Sequence, residues 1–360
     1  MLRVAVDANC LAWGWSGIPK HVDRISRELV QLDVELVLLA NTDRPFASIP
    51  EARQFYARRR GGAIWRNTFV ASWVRRHKPD VFWAPETVTP VRLSLPSVVT
   101  VHDVAPLLRG DVKPLRHRLA FRTSIPRSIR RAARVAVVSE TTAADVRRLW
   151  GIPADVIRIV PNGVDERFTP GDRDAAAANV RARWGLAQPY ALFVGTLEPR
   201  KGVEVLLSAL RAARERGTEL NLVLVGAAGF RGEELEREAV ALGARVLHGV
   251  SDEELPDLYR AAQALAAPSL YEGFGLTPLE AMACGTPAVI AEGAGALGEV
   301  SGAAAISVAS REPGAWLEAI LGAGSRRGEL EQRGLELAQR FRWPDVARRM
   351  RAVLEEAAGA

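Results

Sequence analysis

Along this chain, short unbroken runs of Val, Leu, Ile and Ala alternate with longer stretches in which apolar positions return every three or four residues. Runs at residues 2–6, 35–40, 81–84, 97–101, 135–138 and 157–160 give way, after a turn-rich break, to a second series at 190–194, 222–225, 245–247, 264–267 and 288–290. Continuous rather than alternating apolarity marks strands covered on both faces, and helical stretches between such strands predict parallel βαβ units. Helices are predicted over residues 20–32, from Ser139-Glu140 to Trp150, from Val203, from a Ser251 cap with Glu254 three positions on, and over 344–358. The break is Pro161-Asn162-Gly163-Val164-Asp165, running on to Pro170 and Gly171. Turn residues this dense between two restarting series mark a domain boundary, so the chain reads as two α/β domains, 1–168 and 169–343.

Composition changes this picture little. A chain of 360 residues is long enough for about two cores. With 48% hydrophobic and 25% charged residues it has the balance of a globular, water-soluble protein. No apolar run approaches the ~18 residues of a membrane span, and the first residues read as a strand rather than a secretion signal. Two cysteines, Cys10 and Cys284, fit a reducing compartment and not a disulfide framework, so a cytoplasmic protein is expected.

Charge matters more, because the formal net charge of +6 is unevenly spread. Between Arg53 and Lys78 lie Arg58-Arg59-Arg60, Arg66 and Arg75-Arg76 without an acid, interleaved with Phe55, Tyr56, Trp65, Phe69 and Trp73. A second basic run covers Arg109 to Arg134 with only Asp111 against it. A solvated Arg-rich surface explains such runs; so does a face for an anionic acceptor or for peripheral contact with the inner side of a membrane. No recognised nucleic-acid module accompanies them, and no nucleic-acid partner is expected.

The chemistry concentrates at residues 268–290. Tyr271-Glu272-Gly273-Phe274-Gly275 is a glycine-bearing loop that passes through Leu276, Thr277 and Pro278 into a helix carrying Glu280. Cys284-Gly285-Thr286-Pro287 then leads to the next strand. The glycines let backbone N–H groups approach a ligand, and the positive end of a helix dipole follows, so the loop suits an anion such as phosphate. Glu280, about one turn into the helix, is placed to accept hydrogen bonds from a polyol such as ribose, and Glu272 to hold a second hydroxylated ring. Thr277-Pro278-Leu279-Glu280 also reads as a capping box, which would give Glu280 a purely structural task. Glu272 taken alone would pass for a solvated loop acid.

Further candidates lie at other strand ends. In Gly195-Thr196-Leu197-Glu198-Pro199-Arg200-Lys201-Gly202, between a strand and a helix, two adjacent cations offer a fork donor and a point charge to a diphosphate. His102-Asp103 stands at the tip of the 97–101 strand, where open α/β sheets bind ligands, although a histidine satisfied by its neighbours fits that position equally. The loop 7–18, with Gly14 and Gly17, lies at the same end of the first strand.

The string around Glu272 and Glu280, with seven residues between the two acids, resembles the donor-sugar motif of the family-four retaining glycosyltransferases (group 1), which have the GT-B fold; the wording is mannosyltransferase-like. Val98-Val99-Thr100-Val101-His102-Asp103, Pro161-Asn162-Gly163-Val164-Asp165 and the Arg200-Lys201 loop resemble the family as well, so the resemblance covers most of residues 90–345. It implies two Rossmann-like domains with parallel sheets facing an interdomain cleft: an acceptor-side domain, 1–168, with the helix 344–360 packing back on it, and a donor domain, 169–343. It further implies that Arg200, Lys201 and the loop Gly273, Phe274, Gly275, Leu276 and Thr277 hold the donor diphosphate. By the same resemblance Glu280 holds the ribose, Val250 lies along the nucleobase, Glu272 and His102 meet the sugar, and Gly17 sits near the diphosphate. There the chain departs from the family's usual Gly-Ile-Gly-Arg, since Gly17-Ile18-Pro19-Lys20 lacks one N–H donor.

The expected reaction is retaining, metal-independent transfer of a hexose from a nucleotide-diphosphate sugar to a glycan, lipid-linked or small-molecule acceptor in polysaccharide biosynthesis. GDP-mannose is the first donor expected and UDP-sugars the next. A catalytically silent nucleotide or glycan binder, and a sugar phosphorylase or epimerase of the same architecture, are the alternatives. Two other motifs carry less. Gly293-Ala294-Gly295-Ala296-Leu297-Gly298 spells a dinucleotide fingerprint with Glu318 about twenty residues on, but Glu318 falls in a helical pattern with Trp316, Leu317 and Ile320. Asp172-Arg173-Asp174 reads as a helix cap rather than a metal-binding pair, and no metal or other cofactor is expected.

Overall fold

The apolar runs pair into two sheets, each wholly parallel. The first holds β1 (Arg3–Asp7), β2 (Glu35–Ala40), β3 (Arg53–Tyr56), β4 (Val81–Ala84), β5 (Ser97–Val101), β6 (Arg134–Val137) and β7 (Ile157–Ile159), in the order β3-β2-β1-β4-β5-β6-β7. The second holds β8 (Ala191–Val194), β9 (Leu222–Val225), β10 (Arg245–Leu247), β11 (Ala264–Ala267), β12 (Ala288–Ala291) and β13 (Ala305–Val308), in the order β10-β9-β8-β11-β12-β13. This computed structural model describes every residue except 13–16, 45, 60, 109–114, 187 and 360, and leaves the side chains of 115–121 undescribed. Gly14, and Arg109 and Asp111 of the second basic run, lie outside the described residues.

Two compact units result. One contains the described residues up to Gly163 and those from Trp343 onward; the other is Val164–Arg342. In the first, Val4, Val6, Leu36 and Leu38 of the sheet are covered by Val22, Ile25 and Leu29 of the helix Gly17–Gln31 and by Trp343, Val346, Met350 and Leu354 of the helix Trp343–Ala358. In the second, the helices Val203–Glu215 and Pro313–Ser325 bring Leu206, Leu210, Trp316 and Ile320 against β8, β9, β11 and β12. Each buried Val or Leu contributes roughly 1.5–3 kcal/mol, and strands covered on both faces gain this at every position.

The structure departs from the sequence expectations at a few places. The first helix begins at Gly17 rather than residue 20; Pro19 then falls in the first turn, where its missing N–H breaks no helical bond. β3 and β13 are edge strands that the apolar pattern did not reveal, and along β3 exposed and half-buried residues alternate. The basic stretch is not a simple surface run. After β3 it forms the helix Gly62–Trp65, a π turn at Arg66–Val70 and the helix Ala71–His77. Trp65 and Trp73 join the core and Arg66 turns inward, while Arg58, Arg59, Arg75, Arg76 and Lys78 stay exposed. Asp172 caps the helix Arg173–Trp184, accepting from the Asp174 and Ala175 amides at 2.9 and 3.1 Å. Glu318 lies on the helix Pro313–Ser325. Among the described residues no helix is long and apolar enough to cross a membrane.

Candidate functional site

Strand order reverses between β8 and β11 in the second unit, and open α/β sheets bind ligands beyond the strand ends at such a switch point. The loop leaving β8 makes a single 3-10 turn, Pro199–Lys201; the loop leaving β11 runs through Ser269 to Glu272. Backbone joins the two, since the Leu270 N–H donates to the Arg200 carbonyl at 2.8 Å. Gly202 makes the approach possible: its φ is +71°, and a Cβ there would stand 2.1 Å from the Pro268 carbonyl oxygen.

This junction sets the charged groups. Arg200 donates through Nε to Glu198 at 3.0 Å, and through Nη1 to the Tyr271 carbonyl at 3.0 Å and to Glu272 at 3.3 Å. Lys201 Nζ lies 2.6 Å from Glu272 Oε1, which also accepts the Ser269 hydroxyl at 2.6 Å. The side chains of Arg200, Lys201 and Glu272 keep 12, 18 and 16% exposure, so they can be reached from solvent while their charges act in a medium of reduced dielectric. Burial opposes a charge on Glu272, but Lys201 and then Arg200 outweigh it and hold the carboxyl at about 2. Glu272 is therefore a carboxylate at neutral pH.

Glu272 is positioned from a second side by the glycine-rich segment 293–298. Its N–H donates to the Ala294 carbonyl at 3.2 Å and its carbonyl accepts from the Ala296 N–H at 2.9 Å. Gly295, at φ +64°, leaves the space that a Cβ would fill, 2.3 Å from the Glu272 carbonyl oxygen. The glycine at the centre of the apparent dinucleotide fingerprint thus serves the backbone of the loop acid.

Beyond Glu272, Gly273, Phe274 and Gly275 are buried, with the Phe274 ring edge-on to Phe341 at a centroid distance of 5.6 Å. The helix Leu276–Ala283 opens from Gly275 without a side-chain cap, so Thr277 closes no capping box. Glu280 is 6% exposed and its Oε2 accepts the buried Tyr259 hydroxyl at 2.9 Å. Val250, half-buried, follows β10 and precedes a reciprocal cap in which Ser251 N–H donates to Glu254 Oε2 at 3.0 Å and Glu254 N–H to Ser251 Oγ at 3.3 Å.

Two expected residues stand in the first unit. Gly17 opens the helix Gly17–Gln31, and among the described residues a Cβ there would meet nothing within 4 Å. His102 follows β5, with Nε2 3.0 Å from the Pro85 carbonyl; a carbonyl only accepts, so Nε2 carries the hydrogen and Nδ1 keeps its lone pair. Its ring meets that of His21 edge-on at 4.8 Å, and His21 Nδ1 lies 2.7 Å from Asn162 Oδ1. Burial lowers both histidines, His21 to about 3 and His102 to about 4, so both are neutral at physiological pH.

The structure therefore brings Arg200, Lys201 and Glu272 together, with Glu280 on the adjoining helix bonded to Tyr259. Sequence reasoning missed Glu198, Ser269, Tyr259, His21 and Asn162. Glu198 and Ser269 were inside the strings already singled out and Asn162 inside the boundary turn; His21 and Tyr259 gave no local signal.

Comparison with known proteins follows this geometry. The family described as Glycosyl transferases group 1 matches residues 178–333, and Glycosyltransferase Family 4 matches residues 15–168. The O-antigen chain mannosyltransferase B of Escherichia coli is 33% identical over 279 residues, 75% of this chain and 72% of that protein. A D-inositol 3-phosphate glycosyltransferase of Xylanimonas cellulosilytica is 36% identical over 292 residues, 74% of this chain and 67% of that protein. Among solved structures, Anabaena HepE in complex with UDP-glucose matches with a TM-score of 0.79 at 18% identity, over 99% of this chain and 100% of that one. Sucrose-phosphate synthase from Thermosynechococcus elongatus matches with a TM-score of 0.78 at 21% identity, over 99% of each chain. These likenesses establish the GT-B fold, with its two parallel α/β sheets. Fold, family matches and relatives agree: the chain is a glycosyltransferase and belongs to glycosyltransferase family 4, the group 1 glycosyl transferases.

Proposed function

We propose that this glycosyltransferase moves a hexose from a nucleotide-diphosphate sugar to a hydroxyl of a glycan, glycolipid or small molecule, with retention of anomeric configuration and without a metal. The observation that carries the reading is the meeting of Arg200 and Lys201 on Glu272 at the β8/β11 switch point. The positive charges of Arg200 and Lys201 and the amino-terminal end of the helix Leu276–Ala283, reached through the loop Gly273 to Thr277, together offset the charge that develops on the leaving group. Glu272 accepts sugar hydroxyls, Glu280 the ribose hydroxyls, Val250 lines the base, and His102 offers Nδ1 to the sugar. Gly17 lies near the diphosphate, with one donor fewer beside it because Pro19 has no N–H.

The acceptor oxygen attacks the face from which the phosphate departs, and the leaving phosphate oxygen takes its proton. GDP-mannose is the first donor to test, on the likeness to the E. coli mannosyltransferase; UDP-glucose is next, because HepE binds it. The exposed cations of residues 58–78 suit peripheral contact with an anionic membrane face or an anionic acceptor. The test is the rise in melting temperature across GDP, UDP and dTDP, followed by NMR of the anomeric configuration of the product. Inverted product sinks the retaining mechanism, and activity that requires an added divalent cation sinks the metal-free one. Donor that is neither hydrolysed nor transferred favours the silent binder. Sugar 1-phosphate formed from inorganic phosphate identifies a phosphorylase.

A further inference from the structure

The first unit's sheet has its own reversal of strand order, between β1 and β4. Asp7 is the last residue of β1, and Glu86 lies two residues beyond the end of the paired β4. Both acids therefore stand at the carboxyl ends of neighbouring strands at the switch point, the place where the second unit's sheet carries the loops of Arg200 and Glu272. Arg66, at the start of the π turn, reaches between them, with Nε 2.5 Å from Asp7 Oδ2 and Nη2 2.6 Å from Glu86 Oε2. Asp7 is fully buried and also accepts the Asn9 N–H at 3.2 Å. The side chains of Arg66 and Glu86 retain 12 and 9% exposure, so the cluster meets solvent through these two.

As scaffolding this is a costly choice, since buried ion pairs are often replaced by apolar packing without loss of stability. One guanidinium answers two carboxyl groups, with the Cys10 thiol buried nearby; burial and then the charge of Asp7 push Glu86 up. A π turn at a switch point is a combination concentrated at functional sites. The same strip holds His102, whose Nε2 donates to the carbonyl of Pro85, the residue before Glu86.

We propose that the Asp7–Arg66–Glu86 cluster is a subsite for the acceptor, in which Glu86 accepts a hydrogen bond from one acceptor hydroxyl, Arg66 donates to its neighbour, and Asp7 fixes Arg66 in place. The proposal rests on the glycosyl-transfer reading and adds the acceptor's chemistry to it. A cation already matched by two carboxyl groups has no net positive charge to offer a phosphate, whereas a carboxylate beside a guanidinium matches an uncharged vicinal diol of a sugar or cyclitol.

The full chain is tested with methyl α-mannoside and myo-inositol as probes in the presence of GDP or UDP, by saturation-transfer NMR, with melting curves recorded with and without nucleotide. The wild-type chain is expected to bind at least one of the two polyols. Glu86→Gln, the same shape as a protonated Glu86, is expected to weaken that binding at least tenfold while keeping the nucleotide-induced rise in melting temperature. Asp7→Asn, which disturbs Arg66 without touching the polyol, is expected to weaken it as well. A wild-type chain that binds neither polyol, or a Glu86→Gln chain that binds as the wild type does, overturns the proposal. So does loss of the nucleotide response in Glu86→Gln, which would make the cluster structural. A wild-type chain without a nucleotide response counts against the donor assignment, while the polyol spectra still decide the subsite.

Discussion

Lys201 Nζ lies 2.6 Å from Glu272 Oε1 while Arg200 Nη1 lies 3.3 Å from Glu272 Oε2, so one loop carboxylate is gripped by two cations from the facing loop. The pairing fixes Glu272 and at the same time restrains the two residues assigned to the leaving diphosphate.

Removing that carboxylate tests its part in the reaction. Glu272→Ala is expected to lower kcat by about 10²–10³, the scale of losing a preorganised polar contact to a transition state. The melting temperature should fall by only a few degrees, because the three side chains are partly exposed and screened. Turnover equal to wild type, measured with any accepted donor, would remove Glu272 from the site.

Arg200→Ala should raise the Kd for nucleoside diphosphate about tenfold or more, since it withdraws a charge-assisted fork donor. Calorimetric titration with GDP and UDP is the measurement. Unchanged affinity for both would detach Arg200 from the diphosphate and leave it as a brace between Glu198 and Tyr271.

Tyr259→Phe deletes the hydroxyl that donates to the buried Glu280 carboxylate. It is expected to cost about 1.5–3 kcal/mol of stability, the scale of a hydrogen bond to a charged group. A shifted denaturant midpoint at unchanged slope reads the effect, and weaker nucleotide binding in the same variant would tie Glu280 to the ribose.

Acid should weaken the fold in two steps. His21 and His102 are lowered from 6.5 to about 3 and about 4, so their contribution is complete above 6.5 and drains as pH falls toward those values. Glu272 is lowered from 4.5 to about 2; its contribution is complete above 4.5 and is lost as pH falls toward 2. Glu86 runs oppositely: raised from 4.5 to about 7 beside Asp7 and Arg66, it contributes fully below 4.5 and loses this as pH rises to about 7. Melting temperatures of wild type and Glu272→Gln should differ most above pH 4.5 and converge as pH falls to 3, with wild type losing more; a constant difference refutes the Glu272 assignment.

Gly202→Ala places a Cβ 2.1 Å from a backbone oxygen at a positive φ, so the loops after β8 and β11 must part. We expect a loss of about 2 kcal/mol or more, together with weaker nucleotide binding. Calorimetry and a nucleotide titration on the same sample check both, and a stable variant with normal affinity contradicts the loop junction.

Legibility in the sequence followed burial. β4, β5, β11 and β12 are buried along their whole length and announce themselves as apolar runs. β3 does not, because an edge strand half open to solvent carries Arg53 and Gln54 ahead of its two aromatics. Arg66 illustrates the same limit: Arg58, Arg59, Arg75 and Arg76 of the same basic stretch are exposed, and only the acids at the end of β1 and beyond β4 draw Arg66 inside. At the site, local strings identified Glu272, Arg200 and Lys201 but not their pairing, which joins residues 71 positions apart. The His21–Asn162 contact spans 141 positions and left no periodic trace.

The helix Trp343–Ala358 supplies Trp343, Val346, Met350 and Leu354 to the interior of the first unit. During translation the ribosome therefore delivers Val164–Arg342 complete before the earlier-made strands β1 to β7 receive their last wall. The strands of the first unit are thus made long before the residues that cover this flank, and until Trp343–Ala358 is synthesised that apolar face lacks the wall this helix provides.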